Sequence, residues 1–330
     1  MSTTMRILLT GKKGQVGSEL VRLLPSIGDL TAVGRDDLHL ANPDDIRRVI
    51  RQARPNLIIN AAAYTAVDQA EKEESLARAV NAEAPAVIAE EAKKTGAFLV
   101  HYSTDYVFDG TKGSPYTEDD ATNPLGAYGC TKLAGEEAIR ASGVPHLILR
   151  TAWVYATAGK NFLLTILRLA SSREELRVVN DQFGAPTWAR AIAEATARLV
   201  GGPRASACEA VQTADWIPGV QRPRDADRLA FLAEHAGTYH LTAAGATTWH
   251  EFAVAIVEGA RKIRPDTPWL TAATGGRQLA VKRIIPIGTK DYPTPARRPA
   301  YSVLSNARFT QTFGFSLSDW RSQLLEAVSA

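Results

Sequence analysis

Over the first 150 residues, short unbroken apolar runs alternate with segments in which apolar side chains return every three or four positions. The runs at residues 5–10, 30–33, 56–60, 98–102 and 145–150 have the length and the lack of polar alternation of strands buried on both faces. Between them lie helical patterns: Val16, Leu20, Leu23 and Leu24, then Ile46, Val49 and Ile50 behind Asn42-Pro43-Asp44-Asp45. Further helices are predicted over residues 68–79 and 85–94, the second with Val87, Ile88 and Ala92 inward, and from Tyr128 onwards. Strand and helix alternate throughout, which predicts an α/β fold with a doubly wound parallel sheet of the Rossmann type over residues 1–150.

Beyond Arg150 the rhythm is less regular. Helices are expected at Phe162–Ala170, Trp188–Val200 and Trp249–Ile263, with strands at Leu176–Asn180 and Gly237–Leu241. These predict a smaller substrate domain over residues 151–330, interleaved with the sheet. Residues 203–236 break the pattern with Trp216, Pro218, Arg222, Pro223 and Arg224 before a short helical stretch at Ala226–Ala233. An insertion there costs little chain entropy and reads as surface decoration, with a lid or an oligomer contact as the functional alternative.

Composition narrows the class. A chain of 330 residues with 45% apolar content is long enough for a sizeable core. The net charge of +3 comes without long single-sign blocks, so a nucleic-acid partner is not implied. Cys130 and Cys208 make no metal or redox spacing, and Cys130 reads as a small filler on its helix. No apolar stretch approaches the roughly 18 residues of a membrane span, and Gly11-Lys12-Lys13 ends the first apolar run too early for a secretory segment. A soluble cytoplasmic protein with no membrane partner is the expectation.

Candidate chemistry gathers where strands end. Gly11, Gly14 and Gly17 follow the first strand and open a helix, a placement that lets backbone N–H groups receive a pyrophosphate. About 20 residues further, where the adenosine ribose is read, stand Gly34 and Arg35. An arginine suits a 2′-phosphate, so NADPH is favoured, with NADH left open by the adjacent Asp36 and Asp37. Ala61-Ala62-Ala63-Tyr64-Thr65 follows the third strand with small side chains that let a flat cofactor approach. The fourth strand delivers Ser103, Thr104 and Asp105 to the carboxyl edge of the sheet, and residues 109–126 form either a substrate flap or an inert loop. Tyr128 and Lys132 are one helical turn apart and share a face. A phenol titrates near ~10, and a neighbouring ammonium is expected to bring it towards the working pH of a general acid. Arg297 and Arg298, between prolines, are candidates for a nucleotide diphosphate.

These motifs lie in Gly14-Gln15-Val16-Gly17, in the run from Asn60 to Asp68, in Ser103-Thr104-Asp105-Tyr106-Val107-Phe108 and in Tyr128 to Lys132. Three further blocks, Arg150 to Tyr155, Asp181 to Thr187 and Tyr292 to Pro299, extend the set through most of the chain. On these residues the chain resembles the extended short-chain dehydrogenases/reductases and, within them, the dTDP-4-dehydrorhamnose reductase family.

The resemblance implies reduction of the 4-keto group of a dTDP-sugar, dTDP-4-dehydro-β-L-rhamnose, by NAD(P)H. It implies Tyr128 as proton donor, Lys132 as its electrostatic partner and ribose ligand, and Thr104 tuning the Tyr128 proton. Asp105 and Trp153 would contact the sugar nucleotide, while Gly14, Gln15, Val16, Ala63, Tyr64 and Thr65 would line the cofactor. The chain departs from the family at Gly34-Arg35 and at His39, which leaves the cofactor open. Arg190 stands where some members place a metal-bridging glutamate, so no metal is carried over, and a homodimer is left open. The 203–236 segment has no counterpart of this length in the family pattern. Three rivals remain. A nucleotide-sugar dehydratase would need a glutamate at Tyr106, a non-catalytic regulatory subunit would have no use for Tyr128 and Lys132, and a reductase of a different nucleotide sugar shares every motif.

Overall fold

The structure is a computed structural model and describes residues 4–201 and 225–329. Most of the 203–236 insertion lies outside the described residues, as do Cys208, Trp216, Pro218, Arg222, Pro223 and Arg224.

The first half runs β1 (Arg6–Thr10), α1 (Gln15–Leu23), β2 (Asp29–Val33), α2 (Pro43–Ala53), β3 (Leu57–Asn60), the short helices α3 (Val67–Ala70) and α4 (Glu74–Arg78), α5 (Ala84–Thr95), β4 (Phe98–Thr104), α6 (Ala127–Ser142) and β5 (His146–Thr151). The second half runs β6 (Val154–Tyr155), α7 (Phe162–Ala170), β7 (Glu175–Val179), β8 (Phe183–Gly184), β9 (Thr187–Trp188), α8 (Ala189–Gly201), α9 (Asp225–Glu234), β10 (Gly237–His240), β11 (Thr247–Thr248), α10 (Trp249–Ala260), α11 (Pro268–Thr274), β12 (Arg283–Ile287), α12 (Ala307–Phe313) and α13 (Trp320–Ser329).

Six parallel strands form the main sheet in the order β2-β1-β3-β4-β5-β10. Alternation along each strand assigns its side chains to two layers. Ile7 and Leu9 of β1 join Leu20, Ile192 and Leu199 on one face, whereas Leu8 joins Ile46, Val49, Ile88 and Ile139 on the other. Each such fully buried aliphatic side chain contributes roughly 1.5–3 kcal/mol, which makes the doubly wound arrangement the stable outcome of these runs.

One expectation is corrected. The helix predicted over 68–79 is broken into α3 and α4, and a five-residue π turn, Ala79–Glu83, carries the chain into α5. The wider turn rotates Asn81 into the interior, where it is 1% exposed. Elements beyond residue 150 also enter the layers of the main sheet. β10 is the sixth strand of the main sheet, and Ile192, Ala195 and Leu199 of α8 belong to the core on its α1 face. The smaller unit is built on Leu163, Ile166, Phe252, Ile256, Trp320 and Leu324, with β7 and β12 paired in parallel beside them.

Candidate active site

The carboxyl edge of the sheet opens into a cleft of about 1000 Å³. Gly11 turns the chain at φ +77°, and a Cβ there would lie 2.8 Å from the Ala61 backbone. This close approach brings the β1 and β3 turns together at the cleft floor. α1 begins with no side-chain cap at Gly14, so its first N–H groups face the cleft unsatisfied, an arrangement suited to a pyrophosphate. Gly11, Gly14, Gln15, Val16, Arg35, Ala63, Tyr64, Thr65, Tyr128 and Lys132 all line this one cleft. Gly17 does not. It packs under the turn, where a Cβ would come within 2.0 Å of the Gly11 carbonyl oxygen, so the close helix-to-strand approach requires a glycine there.

Tyr128 sits in the first turn of α6 beside the end of β4. The Thr104 hydroxyl lies beside it; Thr104 Oγ1 donates to Asp105 Oδ1 at 3.0 Å and accepts from the Tyr106 N–H at 3.2 Å. Burial and the nearby Asp105 carboxylate push the Tyr128 phenol up to about 12, against the Thr104 hydrogen bond. The expectation that Lys132 lowers this phenol is therefore corrected. Lys132 Nζ is turned instead to the Tyr102 carbonyl, 2.7 Å away, and burial pushes the ammonium down to about 8. Burial likewise raises Asp105 to about 6. A phenol kept protonated at neutral pH, with a hydroxyl beside it, is equipped to give a proton to a developing alkoxide.

At the adenosine end, Asp37 is held by Lys12 at 2.7 Å and by the Gly34 N–H at 2.8 Å, and Asp36 is paired with Lys13. Both carboxylates are thus engaged, while exposed Arg35 lines the cleft and makes no ion pair among the described residues. Lys13, His39 and Lys160 also line the cleft and were not picked out as ligands by sequence reasoning. The pairing of Lys12 and Lys13 with the aspartates that follow β2 could have been suspected only from the register of β1 and β2.

Other predicted residues stand apart. Trp153 takes a left-handed φ of 48° and stacks on Trp249 with ring centroids 3.4 Å apart; a Cβ on Gly184 would lie 2.3 Å from its ring. Arg298 is paired with Asp68 at 2.8 Å, and Arg297 is exposed on the same loop. Neither lines the cleft. Arg190 binds Glu194 at 2.9 Å. Cys130 is exposed on α6 and is not the packing filler expected. In the 109–126 loop Asp109 accepts from Tyr116 and Asn123 at 3.0 Å each, and none of the loop's residues lines the cleft.

Asn81 was missed. Its side-chain oxygen accepts from Tyr64 N at 2.8 Å and its nitrogen donates to Tyr64 O at 3.0 Å, so it holds the cofactor-facing loop as a paired strand would. Only the π turn, invisible to periodicity, aims it there.

The family model described as RmlD substrate binding domain matches residues 5–214 and 221–330. A dTDP-4-dehydrorhamnose reductase of Burkholderia thailandensis is 49% identical over 96% of each chain, and one of Escherichia coli K12 is 44% identical over 96% of this chain and 95% of that one. Among solved structures, a dTDP-4-dehydrorhamnose reductase of Bacillus anthracis in complex with NADP has a TM-score of 0.80 at 30% identity, covering 98% of this chain and 99% of that one. With a similarity of this degree along nearly the whole length of both chains, the chain belongs to the dTDP-4-dehydrorhamnose reductase family.

Proposed function

We propose that the protein reduces the 4-keto group of dTDP-4-dehydro-β-L-rhamnose to give dTDP-β-L-rhamnose. The observation that carries this reading is the half-buried, protonated Tyr128, set beside Thr104 and lining the same cleft as the glycine turn and Lys132. NADPH, when bound, supplies the hydride to the sugar carbonyl carbon. The chain's own part is to fix geometry and move one proton. Gly11, Gly14 and the start of α1 receive the pyrophosphate; Ala63, Tyr64 and Thr65 flank the cofactor; Lys132 is placed for the ribose. Tyr128 gives its proton to the alkoxide as charge develops there, and Thr104 holds the phenol oxygen in line.

NADPH is favoured over NADH because Arg35 is free for a 2′-phosphate while Asp36 and Asp37 are engaged by lysines. The NADP bound to the Bacillus anthracis relative is in keeping with this choice. Trp153 and Asp105 are proposed to meet the sugar nucleotide.

NADPH oxidation with dTDP-4-dehydrorhamnose, measured for the wild type and for Tyr128→Phe, tests the reading. Turnover by the wild type and a loss of about 10²–10⁴-fold in the variant are expected. No turnover by the wild type would leave a nucleotide-binding regulator as the better account, and turnover of a different nucleotide sugar in its place would overturn the substrate.

A further inference from the structure

One buried titratable side chain has no part in this chemistry. His101, in β4, is 0% exposed and belongs to a row of buried polar side chains that runs from β1 to α6. Thr10 Oγ1 donates to Asn60 Oδ1 at 2.6 Å, and the Ala62 N–H donates to the same oxygen at 3.4 Å. These donors orient the amide so that Asn60 Nδ2 faces His101 Nδ1 at 3.0 Å. The other ring nitrogen, His101 Nε2, lies 3.2 Å from Lys132 Nζ.

Donor and acceptor roles follow in sequence. An amide nitrogen only donates, so His101 Nδ1 accepts, and a neutral imidazole then carries its proton on Nε2. Burial, the Lys132 charge and His146 hold the ring well below its ordinary titration range, so it is neutral. Its Nε2–H therefore points at Lys132 Nζ. An ammonium has no lone pair and would set N–H against N–H, whereas the neutral amine accepts this bond.

We propose that His101 is a positioning residue, locked as the Nε2–H form by Asn60 and Thr10, that loosens the hold of Lys132 on its proton. The lysine then changes charge within the working pH range. The proposed reductase reading enters only through the use of that lysine in turnover.

The surrounding charges do not produce the same effect. On α6 itself, Glu136 favours the ammonium, and it is already engaged by Arg150 of β5 and by Arg140. Tyr102 is directed to Thr196; Asp105 and Tyr106 follow β4 next to Tyr128; Glu71 binds the Ala127 N–H at the start of α6; His146 of β5 meets the Val144 carbonyl. Burial of Lys132 acts in the same direction as His101, and the test separates the two.

The test uses the full chain without substrate. In ¹⁵N spectra of the wild type, His101 is expected to show a protonated Nε2 and a bare Nδ1; a proton on Nδ1 overturns the proposal. The Lys132 side-chain resonance, assigned with Lys132→Met, is then titrated in the wild type and in His101→Phe, which keeps the site buried but removes the opposing N–H. An upward shift of about one pH unit is expected, and an unchanged midpoint overturns the proposal. Should His101→Phe not fold, Asn60→Asp serves instead, since a carboxylate draws the imidazole proton to Nδ1 and turns a lone pair towards Lys132. In that variant a persistent Nε2–H overturns the proposal. In activity assays the alkaline limb should move up with the Lys132 midpoint. A wild type inactive on the proposed substrate removes the functional reading, while both spectra still decide the role of His101.

Discussion

Replacing Glu136 by glutamine tests the electrostatic brace behind the active-site helix. The Glu136 carboxylate is fully buried and receives Arg150 Nε at 2.9 Å and Arg150 Nη2 at 2.7 Å, while Arg140 adds a contact at 3.0 Å. Arg150 is only 3% exposed. The substitution leaves its guanidinium buried without a counter-charge, which costs about 3–5 kcal/mol. The half-exposed Arg140 accounts for little of this, at most about 1 kcal/mol. The Phe108 ring, 5.1 Å from the guanidinium, offsets only part of the loss.

The pH dependence has a definite sign. Burial pushes the Glu136 carboxyl up, but its hydrogen bond and charge interaction with Arg150, helped by Ser103 and Arg140, hold it below the ordinary glutamate value. A folded value below the unfolded one gives stability that is present above the unfolded pKa and is lost as pH falls through the folded pKa. Urea unfolding of wild type and Glu136→Gln should thus differ by about 3–5 kcal/mol at pH 7.5, and the gap should narrow below about pH 4. The double substitution Glu136→Met with Arg150→Met, which removes both charges, should recover most of the loss. A single-variant loss below about 1 kcal/mol, or a gap that widens in acid, would refute the reasoning.

Three further outcomes are expected. Arg35→Ser should raise KM for NADPH by about 10–100-fold and leave KM for NADH nearly unchanged, since one charge-assisted hydrogen-bond donor to a 2′-phosphate is removed; equal effects on both cofactors would remove Arg35 from that role. Asp105→Asn should stabilise the fold near neutral pH by about 2–3 kcal/mol, because the carboxyl raised to about 6 is charged there at a cost the amide avoids. Its sign is opposite to that of Glu136: the group favours the fold below its unfolded pKa, and the stability is lost as pH rises through about 6, so the gain should vanish in acid. Asn81→Ala, which removes both bonds to the Tyr64 backbone, should cost about 1–3 kcal/mol in thermal unfolding and raise the cofactor KM.

Local chemistry was legible in the chain. A glycine that must turn at φ +77° and another that must admit a neighbouring carbonyl leave their mark in the residues themselves, whatever lies elsewhere. Tyr128 and Lys132 share a face because helical geometry is set by near neighbours, and the buried runs of β1, β3, β4 and β5 declare themselves by length and composition. The interactions that decide charge are of another kind. Asn60 with His101, His101 with Lys132, Glu136 with Arg150, and Asn81 with Tyr64 join residues on separate elements.

Local pattern over a short window therefore identified the parallel sheet, the glycine turn and the helical face that Tyr128 and Lys132 share. Only the tertiary structure decided that β10 completes the sheet, that Gly17 packs against the Gly11 carbonyl, and that Lys132 faces His101 and a carbonyl while Tyr128 remains a high-pKa phenol beside Thr104. The reason is physical: backbone preference and hydrophobic spacing act between near neighbours, whereas burial and hydrogen-bond partnership, which set the charge of a side chain, depend on what the fold brings against it.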